Sequence, residues 1–261
     1  MERFSTHPES GGKIFLSSRR CGVSLRPMHG ALIFDLDGTL VESLPGISAS
    51  LNRALMRHGF PGHGEAAVRG FIGDGARMLV TRALGAGVAE PHLESVLRGF
   101  GEDYAASWQN GTSPYPGITD LLADLRARGV ALAVLSNKPH TFTTEIVAKL
   151  FPEHTFAAVL GHREGMPHKP DPAGALEIAA ALGCAPENCI LIGDSTMDLE
   201  TARNAGMVSI AVTWGYHDRE RLLGADKVAE NMEELVALLA GFFPGHRAPG
   251  RNPSSACFPN G

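Results

Sequence analysis

The chain of 261 residues predicts an α/β protein: a parallel sheet with helices on both faces and a second, all-helical unit inserted into it. Three observations point there. From residue 118 onward, short apolar runs alternate with helical patterns, the signature of βαβ units with right-handed crossovers. Between the first apolar run and the next comparable one lie about 70 residues with helical signals and no strand signal. The residues directly after several apolar runs carry functional groups, and in parallel sheets ligands sit beyond the C-terminal strand ends.

In chain order, "ALIFDLD" (31–37) reads as the first core strand, closing on Asp35 and Asp37. The amphipathic "LPGISASLNRALMRHG" places Ile47, Leu51 and Leu55 on one helical face. A Gly-rich turn, "RGFIGDGARMLV", and helical segments up to "YAASWQNG" complete the insertion, whose natural use is a lid hinged over the strand ends. "ITDLLADLRARG" is a helix stopped by Gly129, and "VALAVLS" (130–136) a buried strand. Then follow "TFTTEIVAKLF" (helix), "FAAVLG" (strand), "PAGALEIAAALG" (helix) and "CILIGD" (strand). "MDLETARNAG" (helix closed by Gly206), "VSIAVTWG" (strand) and a last helix near "NMEELVALLAGFF" end the core. The expected organisation is a flexible extension over 1–29, a core over 30–42 and 113–244, an insertion over 43–112 and a flexible tail over 245–261.

Composition narrows the function classes. Hydrophobic residues make up 44% and charged residues 20%, ordinary for a globular protein with a sizeable core. A net charge of −5 argues against nucleic acid as a partner, and no apolar stretch reaches membrane-spanning length. Cys21, Cys184, Cys189 and Cys257 form no C-x-x-C pair, which fits a reduced, cytoplasmic protein. The eleven histidines show no metal-ligand spacing, and "GDGAR" lacks the spacing and preceding strand of a nucleotide-binding loop.

The strand ends carry the chemistry. The first presents Asp35 and Asp37, the second Ser136 and Asn137 from "LSNK", and the third leads to Lys169 in "HKPDP". The fourth ends in "GDSTMD", with Asp194 and, one helical turn on, Asp198. An aspartate at one strand end is usually a helix cap. Several such groups at one sheet edge are hard to obtain by capping alone.

In this order and spacing, "DLDGTL", "LSNK", "KPDP" and "GDSTMD" resemble the four motifs of the haloacid dehalogenase superfamily, over about residues 31 to 240. The resemblance implies a Rossmann-like core, a helical cap between the first and second motifs, and Mg2+-dependent phosphoryl transfer through an aspartyl-phosphate. The dehalogenases themselves lack the second aspartate that stands here as Asp37, so loss of halide is not expected. The assignments follow from what phosphate ester cleavage needs. Asp35 is the expected nucleophile. Asp35 and Asp194 are the expected Mg2+ ligands, with the Asp37 backbone carbonyl as a third by resemblance. Asp37, two residues on and therefore on the same strand face, is the expected general acid and base. Gly38 allows the tight turn, and Thr39 steadies that loop and borders the phosphate. Ser136, Asn137 and Lys169 are expected at the phosphoryl oxygens, and Asp198 behind them, orienting Lys169 or a metal-bound water.

Further stretches resemble the bacterial phosphoglycolate phosphatases: "DGTLVESLPGI", "FIGDGARMLVTRAL", "PYPGI" and "LSNKP". The implied partner is a small phosphorylated metabolite, 2-phosphoglycolate. Gly73 and Gly75, at a turn opening a helix, offer N–H groups to its carboxylate, and Arg77 or Arg69 is the expected cation for it. In "GHREGMPHKPD", His162 and Arg163 stand where the family commonly has acidic residues. A pyrophosphatase, a broad sugar-phosphate phosphatase and a phosphomutase are the alternatives on this scaffold; a non-enzymatic binding protein is the alternative of another class.

Overall fold

A computed structural model describes residues 15–16 and 30–243. The expected tail lies outside the described residues, as does all of the expected 1–29 extension except Phe15–Leu16.

Seven strands form the main sheet: β1 (Phe15–Leu16), β2 (Ala31–Phe34), β5 (Ala131–Pro139), β6 (Ala158–His162), β7 (Cys189–Gly193), β8 (Val208–Val212) and β9 (Lys227–Ala229). Their order is β1-β6-β5-β2-β7-β8-β9. All neighbours from β6 to β9 are parallel, and β1 pairs antiparallel with β6 at the edge. The connecting helices are α5 (Ile118–Ala127), α6 (His140–Leu150), α7 (Ala173–Leu182), α8 (Thr196–Ala205) and α9 (Met232–Phe242). Strand β2 alternates: Leu32 and Phe34 join one core cluster, Ala31 and Ile33 another, so both faces of the sheet are sealed. Strand β1 falls within the extension expected to be flexible, and β9 had no strand expectation, because two or three edge residues are too few to show a period.

β2 lies between β5 and β7, and this order decides the site. Its C-terminal end sits between "LSNK" and "GDSTMD", which are more than 50 residues apart in sequence. The ladder extends one bond past β2, with the Asp35 amide donating to Ile192 O at 2.9 Å. On the other side, the β5–β6 register shifts between Leu135 and Pro139, an irregularity at the edge where Ser136, Asn137 and Lys138 face the cavity described below.

Between the first and second core strands the chain is helical: α1 (Leu44–Arg57), α2 (Glu65–Arg69), α3 (Gly75–Leu84) and α4 (Glu90–Ser107), then a 3-10 turn at Trp108–Gly111. A short antiparallel ribbon, β3 (Val41–Glu42) against β4 (Ser113–Pro114), holds the entry and exit of this segment side by side. Such a pair of adjacent connections is a natural hinge. Among the described residues no helix is long and apolar enough to cross a membrane.

Candidate active site

A cavity of about 70 Å³ opens beyond the C-terminal end of β2. Asp35, Asp37, Ser136, Asn137, Lys138 and Lys169 line it from the sheet, while Ile47, Ile72, Gly73, Gly75, Ala76, Leu79 and Phe100 close it from the inserted helices.

Lys169 is buried and all three of its N–H donors are committed: to Asp35 Oδ1 at 2.8 Å, Asp198 Oδ1 at 2.6 Å and Leu135 O at 3.2 Å. Burial would lower its pKa, but the charges of Asp198 and Asp35 outweigh that and hold it above the usual lysine value. Asp35 is pushed up to about 7, mainly by burial, with the Lys169 charge pulling the other way. Asp194 is also raised, by burial first and then by the charges of Asp35 and Asp198. Its Oδ1 accepts from Thr39 Oγ1 at 3.1 Å and its Oδ2 from the Tyr216 amide at 2.6 Å.

Carboxylate oxygens of Asp35, Asp194 and Asp198 lie within 4.8 Å of one another. Four buried or half-buried aspartates (with Asp37) face two lysines, Lys138 and Lys169, so full ionisation would leave an excess of two negative charges, which the raised Asp35 and Asp194 reflect. All-oxygen donors and that excess suit a hard divalent cation such as Mg2+. The backbone is shaped to the same carboxylates. Gly38 has φ +86, and a side chain there would place its Cβ 2.3 Å from Asp194 Oδ2.

Other expected residues take different roles. The Thr39 hydroxyl, almost fully buried, is spent on Asp194. Asn137 is a clamp: its carboxamide donates to Gly73 O (2.9 Å) and Lys169 O (3.2 Å) and accepts from the Lys169 amide (2.8 Å), leaving no polar side-chain atom without a partner. Ser136 lines the cavity, and its Oγ accepts from the Lys138 amide at 3.2 Å. Asp198 is fully buried; besides Lys169 it accepts from Ser195 N and Oγ, a capping box at the start of α8. Gly73 and Gly75 do border the cavity, with φ +125 and +83. Arg77 does not: it is half exposed and paired with Glu90 and Glu94 on α4, because position 77 lies on the α3 face turned away from the sheet. Arg69 ties α2 to the loop after β8, donating from Nε to Tyr216 O at 2.8 Å and from Nη2 to Gly215 O at 3.1 Å.

Three residues went unread in the sequence. Lys138 stands inside the quoted "LSNK" and donates to both oxygens of Asp37, at 2.9 and 3.1 Å, from a buried position over the Tyr104 ring. Burial opposes its charge, but Asp37 and Tyr104 hold its pKa above the usual lysine value. Ser43 Oγ donates to Asp37 Oδ1 at 2.6 Å. The Tyr216 hydroxyl accepts from the amides of Ser43 (2.9 Å) and Leu44 (3.0 Å) at the hinge. Tyr216 follows an apolar run, so inspecting every strand end would have reached it.

Comparison with known proteins agrees with this geometry. The model of the haloacid dehalogenase-like hydrolases matches residues 32–212. A phosphoglycolate phosphatase of Pseudomonas putida is 35% identical over 215 residues, covering 80% of this chain and 78% of that protein. One from Rhodospirillum rubrum is 36% identical over 236 residues, covering 87% and 98%. A crystal structure described as a predicted phosphoglycolate phosphatase from Haemophilus somnus superposes with a TM-score of 0.75 at 30% identity, covering 80% of this chain and 97% of that one. With its four motifs gathered around β2 and these relatives alongside, the chain belongs to the haloacid dehalogenase-like hydrolase family.

Proposed function

We propose that this hydrolase is a Mg2+-dependent phosphatase of small phosphate monoesters, with 2-phosphoglycolate as its substrate. One observation carries the reading: Asp35, Asp37 and Lys169 meet in one cavity, with Asp194 close enough to Asp35 to share an ion. The relatives described as phosphoglycolate phosphatases support that choice of ester, and Ile47, Ile72, Leu79 and Phe100 on the cavity wall offer no side-chain partners to the hydroxyls of a sugar.

In the first half-reaction a carboxylate oxygen of Asp35 attacks phosphorus and the bond to the ester oxygen breaks, with Asp37 delivering a proton to the departing alkoxide. In the second, water attacks the aspartyl-phosphate, Asp37 takes its proton, and Asp35 is regenerated with release of phosphate. Lys169 keeps Asp35 aimed through its 2.8 Å contact and brings positive charge to where the phosphoryl oxygens collect. Mg2+, held by Asp35 and Asp194, would offset the mutual repulsion of these carboxylates and of the incoming phosphate. Thr39 and Tyr216 orient Asp194 for that task.

The test is phosphate release from a panel of 2-phosphoglycolate, pyrophosphate, hexose phosphates and nucleotides, with and without Mg2+. Turnover of 2-phosphoglycolate is expected to lead the panel and to stop when the metal is chelated. Asp35→Asn is expected to remove turnover while the far-UV spectrum stays native; a variant as active as the parent overturns the nucleophile assignment.

A further inference from the structure

The substrate reading needs a cation for the carboxylate of the leaving group, and we infer that Lys138 is that cation, bridging Asp37 and a substrate carboxylate. This rests on the proposed phosphatase activity and adds a residue that selects the class of ester: one whose alcohol half carries a carboxylate a carbon or two from the ester oxygen.

Elimination among the cations starts the argument. Of the residues lining the cavity, Lys138 and Lys169 are the two with positive charge. Lys169 has no donor to spare. Arg77 is turned outward to Glu90 and Glu94, and Arg69 is held on the carbonyls of Gly215 and Tyr216 with Asp218 nearby. Lys138 donates to the two oxygens of Asp37 and otherwise has the Tyr104 side chain beside it, so among the described residues no second carboxylate and no carbonyl takes its third N–H.

Position follows from the same contacts. Lys169 and Asp35 mark the phosphoryl end. Lys138 touches the side chain of Asp37, the group assigned to the ester oxygen, and so stands where the alcohol half must lie. An ammonium between two carboxylates already exists in this site: Lys169 serves Asp35 and Asp198 in that way. The surroundings add weight. The Tyr104 ring lies 4.6 Å beneath Lys138, and Ile47, Ile72, Leu79 and Phe100 form the rest of the wall. Such a wall strengthens an ion pair and leaves a neutral hydroxyl without partners.

The experiment compares kcat/KM for 2-phosphoglycolate with that for 2-hydroxyethyl phosphate, an ester of similar size with no carboxylate. The protein is expected to prefer the carboxylate ester, and Lys138→Met to shrink that preference about 10- to 100-fold, chiefly through KM. Lys138→Gln, which keeps most of the stem and one donor toward Asp37, is expected to do the same and serves if the Met variant does not fold. Arg77→Ala is expected to leave the ratio as it was. If both substrates lose rate by the same factor in the Lys138 variants, Lys138 acts only through Asp37 and the inference fails while the phosphatase reading stands. If the parent protein itself turns over neither ester, the failure belongs to the substrate reading.

Discussion

The Lys169 ammonium and the Asp198 carboxylate meet at 2.6 Å, both sealed from solvent. The second oxygen of Asp198 accepts from the amide and hydroxyl of Ser195, so the first turn of α8 holds the carboxylate that aims the lysine. Asp198 is not among the residues that line the cavity; it acts through Lys169. Asp198→Asn is therefore expected to lower kcat about 10- to 100-fold and to cost on the order of 2 kcal/mol of stability. Steady-state kinetics and urea melts check both; an unchanged kcat would remove the positioning role.

Metal-free protein is expected to lose stability as pH rises from about 4 to about 7. Asp35 keeps its proton to about 7 in the fold, against 3.8 for an ordinary aspartate, so between these values the native state binds more protons than the unfolded chain. The slope for this group is at most about 1.4 kcal/mol per pH unit, and Asp194, raised in the same direction, adds to it. Above that window, Mg2+ should restore stability because it binds the ionised carboxylates. Chemical denaturation in EDTA across this range, with Asp35→Asn as the flatter control, tests the sign; stability that climbs through the window contradicts it.

Tyr216 joins the Asp194 carboxylate to the hinge. Its amide donates to Asp194, its hydroxyl accepts from Ser43 and Leu44, and that hydroxyl also donates to Glu42 Oε1 at 3.0 Å. Tyr216→Phe strands the buried Ser43 amide at the base of α1, while the Leu44 amide keeps Glu42 Oε1 as an acceptor at 2.8 Å, and should cost about 1–3 kcal/mol. A fall in kcat beyond that seen in a core variant of equal stability would show the hinge coupled to the site.

Gly75 allows the inserted helices to seat on the sheet edge. A Cβ at this position would lie 2.7 Å from His168 Nε2 and 3.3 Å from Asn137 O, on a backbone of φ +83. Gly75→Ala is expected to raise KM about tenfold or more by holding the helical segment off the cavity, and to lower the melting temperature because alanine is strained at this φ. If KM stays put, closure of this segment does not form the substrate site.

Much of this was legible in one dimension. The first core strand, the helical insertion and the polar strand ends could be read because period-two and period-3.6 patterns and turn residues are local signals. Lys138 shows where such reading stops. It stands within "LSNK", yet only the irregular end of β5 and the Tyr104 ring from α4 reveal that it is buried beside Asp37. Arg77 shows the converse: a cation next to the Gly73–Gly75 turn looks like a ligand for an anion until the helix phase sends it to Glu90 and Glu94.

From its residues alone, then, this chain determined its alternating core, its inserted helices and the identity of the acidic groups at the strand ends. The three-dimensional packing decided which of them touch. Placing β2 between β5 and β7 sets Asp35 within ion-sharing distance of Asp194, more than 150 positions away, and lets Lys169 span Asp35 and Asp198. The physical reason is that backbone pattern depends on near neighbours, whereas the charge and direction of a buried side chain depend on atoms brought in from distant segments.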